Sequence, residues 1–289
     1  MNKTEFSEEE WLFEIAPKDK FFSLNLKEVW RYRDLLMLFV KRDVVTVYKQ
    51  TILGPLWYFI QPLFTAITFT IIFNKVAGIQ TGGIPPFLFN LAGIITWNYF
   101  TACLNETSDT FKKNASIFGK VYFPRAIMPI STVITNLIKL GIQLLIFFGV
   151  YVYFLLNGMN NVLDWKVLLF PFLVIIMGIL GLGLGMIISS MVTKYRDLSF
   201  LVTFGVQLLM YVSAVMYPME LMREKLPQLG WLIDYNPLAY VIEASRYLLL
   251  DKGSVSGFGI VYTVLITVVV FLLGLIIFNR TEKSFIDTV

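Results

Sequence analysis

The sequence predicts an all-α polytopic membrane protein, on three observations. Of its 289 residues, 57% are hydrophobic and 15% charged, with a mean hydropathy of +0.70. A soluble domain averages about 25% charged and about 45–50% apolar. Six apolar runs, near 55–77, 84–106, 129–156, 166–191, 198–217 and 259–278, supply the roughly 20 residues that a ~30 Å hydrocarbon core requires. The Lys and Arg residues lie unevenly between those runs, which sets a sidedness.

The start, MNKTEFSEEEWLFE, is acidic and polar, with no basic region leading into an apolar core. No cleavable signal peptide is expected, and residues 1–25 read as a cytoplasmic extension. Residues 26–54 read as an amphipathic interface helix, with Val29, Tyr32, Leu36, Phe39 and Val40 on one face and Arg31, Arg33, Asp34, Lys41, Arg42 and Asp43 around the rest. The stretch YKQTILGPLWYFIQP (48–62) joins it to the first run. Gly54-Pro55 supplies a bend and a helix start. Trp57 and Tyr58 would anchor at headgroup depth. Pro62 frees the Tyr58 carbonyl, and Gln61 is an amide placed where a neighbouring helix or a wet path could answer such groups.

The transmembrane body is expected to fill 55–289 with six membrane-crossing helices. The second run is the weakest, because Asn90, Thr96, Asn98 and Thr101 dilute it, and Lys139 lies within the third. With the N-terminus cytoplasmic, only Lys75, Lys166, Arg223, Lys225, Arg246 and Lys252 fall outside, so both termini are expected inside. The segment 107–128, TSDTFKKNASIFGKVYFPRAIM, reads as a brief helix around 109–118 that ends at Gly119. Its Phe111, Ile117, Phe118 and Phe123 beside Lys112 and Lys113 suggest exposed aromatics docking a cytosolic partner. The turn TKYRDL is a second, smaller candidate. Between the fifth and sixth runs, Asn236-Pro237 offers a helix cap with proline at the first helical position. PLAYVIEASRYLLL follows, about 21 Å long and too short to cross. Glu243 and Arg246 are spaced to pair. With MELMREKLPQLGWLI, it reads as a pair of short re-entrant or interfacial helices over 218–250, on the outer side.

Catalytic constellations are missing. One cysteine, Cys103, and no histidine exclude a disulfide framework, a His-ligated metal site and an imidazole base. No phosphate-cradling G-x-x-x-x-G-K-[ST] occurs. The run MGILGLGLGM lacks the lysine, and its Gly181 and Gly185 fit close helix packing instead. No catalytic or metal residue is assigned, and no basic face interleaved with aromatics points to nucleic acid. Trp57, Tyr58, Trp97, Tyr99 and Phe100 are expected either in the interfacial belt or along a route where rings stack on sugars.

Taken together, Arg42-Asp43, YKQTILGPLW, Gln61-Pro62, the FPR at 123–125, the YRD at 195–197, Asn236-Pro237 and the tail FNRTEKSFIDTV are specific. On them the chain, from about residue 25 to 286, resembles the permease subunit of ABC transmembrane type-2 exporters for lipid-linked polysaccharides such as O-antigen, teichoic acid and capsule. It departs in having Val47 where the family commonly has arginine before the Tyr-Lys-Gln. The resemblance implies a homodimer in the bacterial cytoplasmic (inner) membrane, paired with two copies of a separate ABC ATPase that binds ATP and Mg. No cofactor is expected in this chain. ATPase coupling would fall to Asp109, Phe111, Lys112, Lys113, Phe118, Tyr195, Arg196 and Asp197. A polyprenyl-pyrophosphate-linked glycan would meet Arg42, Lys49 or Arg125 at its entrance, and an outer gate would comprise Asn236, Pro237, Tyr240, Glu243 and Arg246. A type-2 permease for a drug or lipid, and a membrane enzyme acting on lipid-linked sugars through Glu106, Asp109 and Asp197, are the alternatives.

Overall fold

Helices form the regular structure throughout the computed structural model, which describes residues 26–49, 52–118, 123–159, 163–195 and 197–286. The expected extension at 1–25, Gly119 and Arg196 lie outside the described residues. The predicted amphipathic helix is divided into α1 (Leu26–Arg31) and α2 (Arg33–Lys49), with a turn at Tyr32. Its predicted apolar face faces inward: Leu36, Phe39 and Val40 are buried, with Val29 and Tyr32 packed beside them.

Among the described residues, five stretches are long and apolar enough to cross a membrane: Gly54–Val76, Pro86–Ser108, Ile127–Leu156, Trp165–Lys194 and Gly257–Glu282. They contain α3 (Trp57–Phe69), α4 (Pro86–Ser108), α6 (Ile127–Leu156), α7 (Phe170–Lys194) and most of α12 (Gly257–Ile286). Between α4 and α6 lies α5 (Thr110–Phe118). The expected fifth span, 198–217, departs from its prediction. Its helix, α8 (Leu198–Val212), has 15 residues, about 22 Å at 1.5 Å per residue. The chain then leaves helical geometry at 213–217, where Ala214 takes a left-handed φ of 54°. The short helices α9 (Met219–Lys225), α10 (Gly230–Asp234) and α11 (Pro237–Leu250) follow.

The run that composition made weakest proves the most deeply placed. Helix α4 packs against α7, α6, α3 and α11 and is buried along most of its length. Thr96 and Thr101 donate to carbonyls of α4 itself, whereas Asn90 reaches a neighbouring helix. Asn90 Nδ2 donates to Asn74 Oδ1 at 2.8 Å and to Thr70 Oγ1 at 3.1 Å, while Asn74 Nδ2 donates to the Ile79 carbonyl at 2.9 Å. Both partners of Asn90 sit where α3 widens into π-helix over Thr70–Val76. A hydropathy average reads such residues as a cost, whereas a helix enclosed by protein uses them as cross-links.

The glycines of α7 serve two interfaces. A Cβ at Gly181 would lie 2.9 Å from Cys103 Cβ, and one at Gly185 would lie 2.5 Å from Thr107 Cβ, both on α4. On another side of α7, a Cβ at Gly183 would lie 2.8 Å from Phe271 Cα, and one at Gly274 of α12 would lie 2.5 Å from the Gly183 carbonyl oxygen. Small residues let helix backbones meet where no water-driven force pulls them together. Gly183→Ala is expected to destabilise the protein by about 1–3 kcal/mol, because the obstructing atoms are backbone. Gly141→Ala, where a Cβ meets nothing within 4 Å, should cause no loss. Thermal unfolding of the two variants in one detergent checks the contrast.

Candidate functional site

The expected sites fall at two ends of the bundle. At the α5 end, the aromatics predicted to be exposed are buried. Phe111, Phe118 and Phe123 are 1%, 6% and 4% exposed. Phe111 stacks on Phe278 of α12 with centroids 4.7 Å apart, and Phe123 lies 5.9 Å from Phe118 and 5.8 Å from Phe39 of α2. The correction follows from amphipathicity: a nine-residue helix with one apolar stripe turns that stripe onto neighbouring helices. It leaves Lys112 and Lys113 outward, with Lys113 Nζ 3.3 Å from Asp109 Oδ2. Tyr195 and Asp197 are exposed in the α7–α8 turn, and Lys194 Nζ lies 5.3 Å from the Tyr195 ring.

Arg125 also departs from its expected place. Expected at an accessible entrance, the residue is only 6% exposed, and its guanidinium faces the end of α12. Nη1 donates to the Glu282 carbonyl at 2.9 Å, Nε lies 3.8 Å from Glu282 Oε1, and Cζ lies 5.1 Å from the Phe118 ring. Burial lowers the Arg125 pKa and the Glu282 carboxylate opposes the shift. Arg42 and Lys49 remain accessible on α2. Arg42 Nη2 pairs with Asp43 at 2.8 Å, and its Cζ lies over Phe39 at 4.9 Å.

Next to α2, the bend is built from Gly54, whose φ of 50° favours glycine although a Cβ there would meet nothing within 4 Å. Pro55 opens the short 3-10 turn Gly54–Leu56 that runs into α3. Pro62 is buried inside α3, and Gln61 is exposed. Trp57 is exposed and Tyr58 half-buried. Trp97, Tyr99 and Phe100, by contrast, belong to the interior core of the protomer. All three are buried within the chain because α4 is surrounded, so they are not exposed as interfacial anchors. Lys139, predicted within a span, reaches Glu106 of α4, with Nζ donating to Oε1 at 2.6 Å, and Asn136 Nδ2 donates to Oε2 at 3.2 Å. The Lys139 ammonium sits 5.8 Å from the Tyr58 ring. Two opposite charges near one end of successive apolar runs were the available signal for this pair.

At the α11 end, Asn236 caps the helix as its sequence suggests: Oδ1 accepts from Leu238 N at 3.0 Å, with Pro237 following. Its amide also donates to Ser213 Oγ at 3.0 Å. Glu243 and Arg246 pair at 3.3 Å. Their setting differs from the interfacial helix expected, since α11 is buried nearly all round. Arg246 is 0% exposed. Nη1 donates to the carbonyls of Ala214 at 2.8 Å and Tyr217 at 3.2 Å, and Nη2 to that of Val215 at 2.5 Å. Cζ lies 3.9 Å from the Phe89 centroid. A Cβ at Gly93 would sit 2.7 Å from Nη2. Phe89 and Gly93, one helical turn apart on α4, thus complete a seat for the guanidinium that sequence reading missed. Tyr240 donates to the Asp234 carbonyl at 3.1 Å and packs against Gly259.

Removing one member of a buried charged pair leaves an uncompensated charge, which costs about 3–5 kcal/mol. Arg246→Met is therefore expected to lose most of its monodisperse fraction on size exclusion in detergent. Arg246→Lys should recover little, because one ammonium cannot span carbonyls answered by two guanidinium nitrogens.

Among the described residues, no group of three His, Cys, Asp or Glu side chains is placed to hold a metal ion. Residues 34–250 match the family model described as ABC-2 type transporter. The O-antigen export system permease protein RfbA of Klebsiella pneumoniae is 31% identical over 255 residues, 88% of this chain and 94% of that protein. Its counterpart of the same name in Myxococcus xanthus is 23% identical, over 91% of this chain and 98% of that protein. The polysialic acid transport protein KpsM of Escherichia coli is 22% identical over 86% and 93%. With a family model spanning most of its length and a near-full-length relative above 30% identity, this chain belongs to the ABC-2 type transporter membrane family.

Proposed function

We propose that this chain is the permease subunit of an ATP-driven exporter that moves a lipid-linked polysaccharide outward across the bacterial cytoplasmic membrane. The observation that carries this reading is the near-full-length similarity to O-antigen export permeases. The substrate proposed is a polyprenyl-pyrophosphate-linked glycan. Two copies of the chain would form the path, and two copies of a separate ATPase would bind ATP and Mg. In this arrangement both termini and the α5 end face the cytoplasm, as the Lys and Arg distribution favours.

α8, continued through 213–217, would serve as the fifth of six crossings, its unwound end enclosed by protein rather than exposed to lipid. α1 and α2 would lie in the cytoplasmic headgroup layer, and α9–α11 would form the outer gate. Arg42 and Lys49 remain as cations for the pyrophosphate. α5 would deliver the ATPase stroke, and its outward Lys112, Lys113 and Asp109 would make the contact.

Co-purification in a mild detergent tests the main claim. A Walker-motif ATPase should accompany this chain, and glycan-lipid should stimulate its hydrolysis. Stimulation by a drug or free lipid instead would reassign the substrate, and turnover of lipid-linked sugar by the chain alone would make it an enzyme. Lys112→Glu with Lys113→Glu should weaken ATPase association at least about tenfold, because charges facing one another across an interface carry large coupling energies. The double variant's thermal stability should stay within about 0.5 kcal/mol of wild type, since both lysines are exposed. Pull-down titration and thermal unfolding measure the two arms.

A further inference from the structure

We propose that the end of α12 is part of the element that transmits the ATPase stroke, joined to α5 by the Phe111–Phe278 stack and to the segment leading into α6 by the Arg125–Glu282 clamp. This rests on α5 being the ATPase-contacting helix. It adds a route for the stroke that runs through α12 beside the loop between α5 and α6, a loop that itself carries Arg125.

Beneath α5 lies a second hydrophobic cluster. It gathers α2 through Leu36, Phe39 and Val40, α5 through Phe111 and Phe118, and the start of α6 through Ile127 and Met128. Leu182 and Met186 of α7 and Leu275 and Phe278 of α12 complete it. Phe111 is nearly parallel to Phe278, with an interplanar angle of 26°, so a push on α5 presses face to face on α12. Arg125 then holds α12 by two different atoms of Glu282. It donates to the main-chain carbonyl and pairs with the carboxylate, while its plane covers Phe118. The Arg125 side chain is buried while that of Glu282 is partly exposed, and the main-chain bond at 2.9 Å is the closer of the two contacts.

Beyond the clamp the path stays stiff. One helical turn from Phe278, Gly274 sets the α12 backbone directly on the Gly183 carbonyl of α7, and Gly181 and Gly185 set α7 on α4. Close-packed interiors have low compressibility and transmit strain. A displacement at α5 therefore reaches α7 and α4, the centre of the protomer, by way of α12 as well as by the direct packing of α5 on both. A peripheral anchor for the C-terminal helix would not require this continuity.

Two sets of variants of the full chain, reconstituted with its ATPase, test the proposal. Glu282→Ala and Glu282→Gln should lower glycan exported per ATP hydrolysed by at least about threefold, with basal hydrolysis unchanged. Gln keeps a side-chain oxygen that can accept from the guanidinium and should fall less than Ala. A lowered melting temperature with an unchanged export ratio would make the clamp structural only and overturn the proposal. In the second set, Phe111→Cys and Phe278→Cys are joined by a short bis-thiol reagent, in a Cys103→Ala background. The two cysteines remove the stack, so unbridged export should fall at least about threefold below that of the Cys103→Ala parent, and bridging should restore it by rejoining the helices. Unbridged export equal to the parent's, or no recovery once the bridge has formed, would overturn it. The wild-type complex, run alongside, separates the two claims. If it shows no glycan-stimulated hydrolysis, the exporter reading fails and this inference with it. If wild type responds and only the variant results disagree, the inference alone fails.

Discussion

The guanidinium of Arg246 holds together the α11 end of the bundle. α8 stops after 15 residues, and the unwound turn behind it leaves main-chain carbonyls with no helical donor. In a bilayer such groups must be satisfied by protein, and here one side chain answers those of Ala214, Val215 and Tyr217. The rest of that end follows from accommodating it. Gly93 supplies room, Phe89 a ring face, Glu243 a counter-charge, and Asn236 ties the start of α11 to Ser213. α4, α8 and α11 are fixed relative to one another because the same buried charge needs all three.

The opposite end is organised by a different force. An aromatic cluster dominates it, in which α2, α5, α7 and α12 meet around Phe111, Phe118, Phe123 and Phe278. Between the ends, α4 and α7 run backbone to backbone on glycine, with α12 against the other side of α7. Such packing resists compression.

Several residues expected at the surface are buried, for one shared reason. Composition and periodicity report whether a residue is apolar or charged but not which neighbours enclose its helix. Trp97, Tyr99 and Phe100 looked like belt or route aromatics, and Arg125 looked like an entrance cation. Each is buried because α4 is central and because the end of α12 closes over Arg125. The polar α4 seemed a poor span for the same reason. Features that depend only on local chain geometry were legible: the Asn236 cap, the Gly54-Pro55 bend, the inward face of α2 and the glycine packing of α7.

The sequence by itself determined that the chain is helical and membrane-embedded, roughly where five of its long apolar helices begin and end, and which residues cap or bend them. Those properties are set by apolar length, turn chemistry and the restricted φ of Gly and Pro, all local. Tertiary structure alone decided that α4 lies at the centre, that α8 ends short, that Arg246 is enclosed, and that the aromatics of α5 face inward onto α12. Each of these joins residues far apart in the chain, and the energy of enclosing a charge or a ring depends on all the helices that surround it.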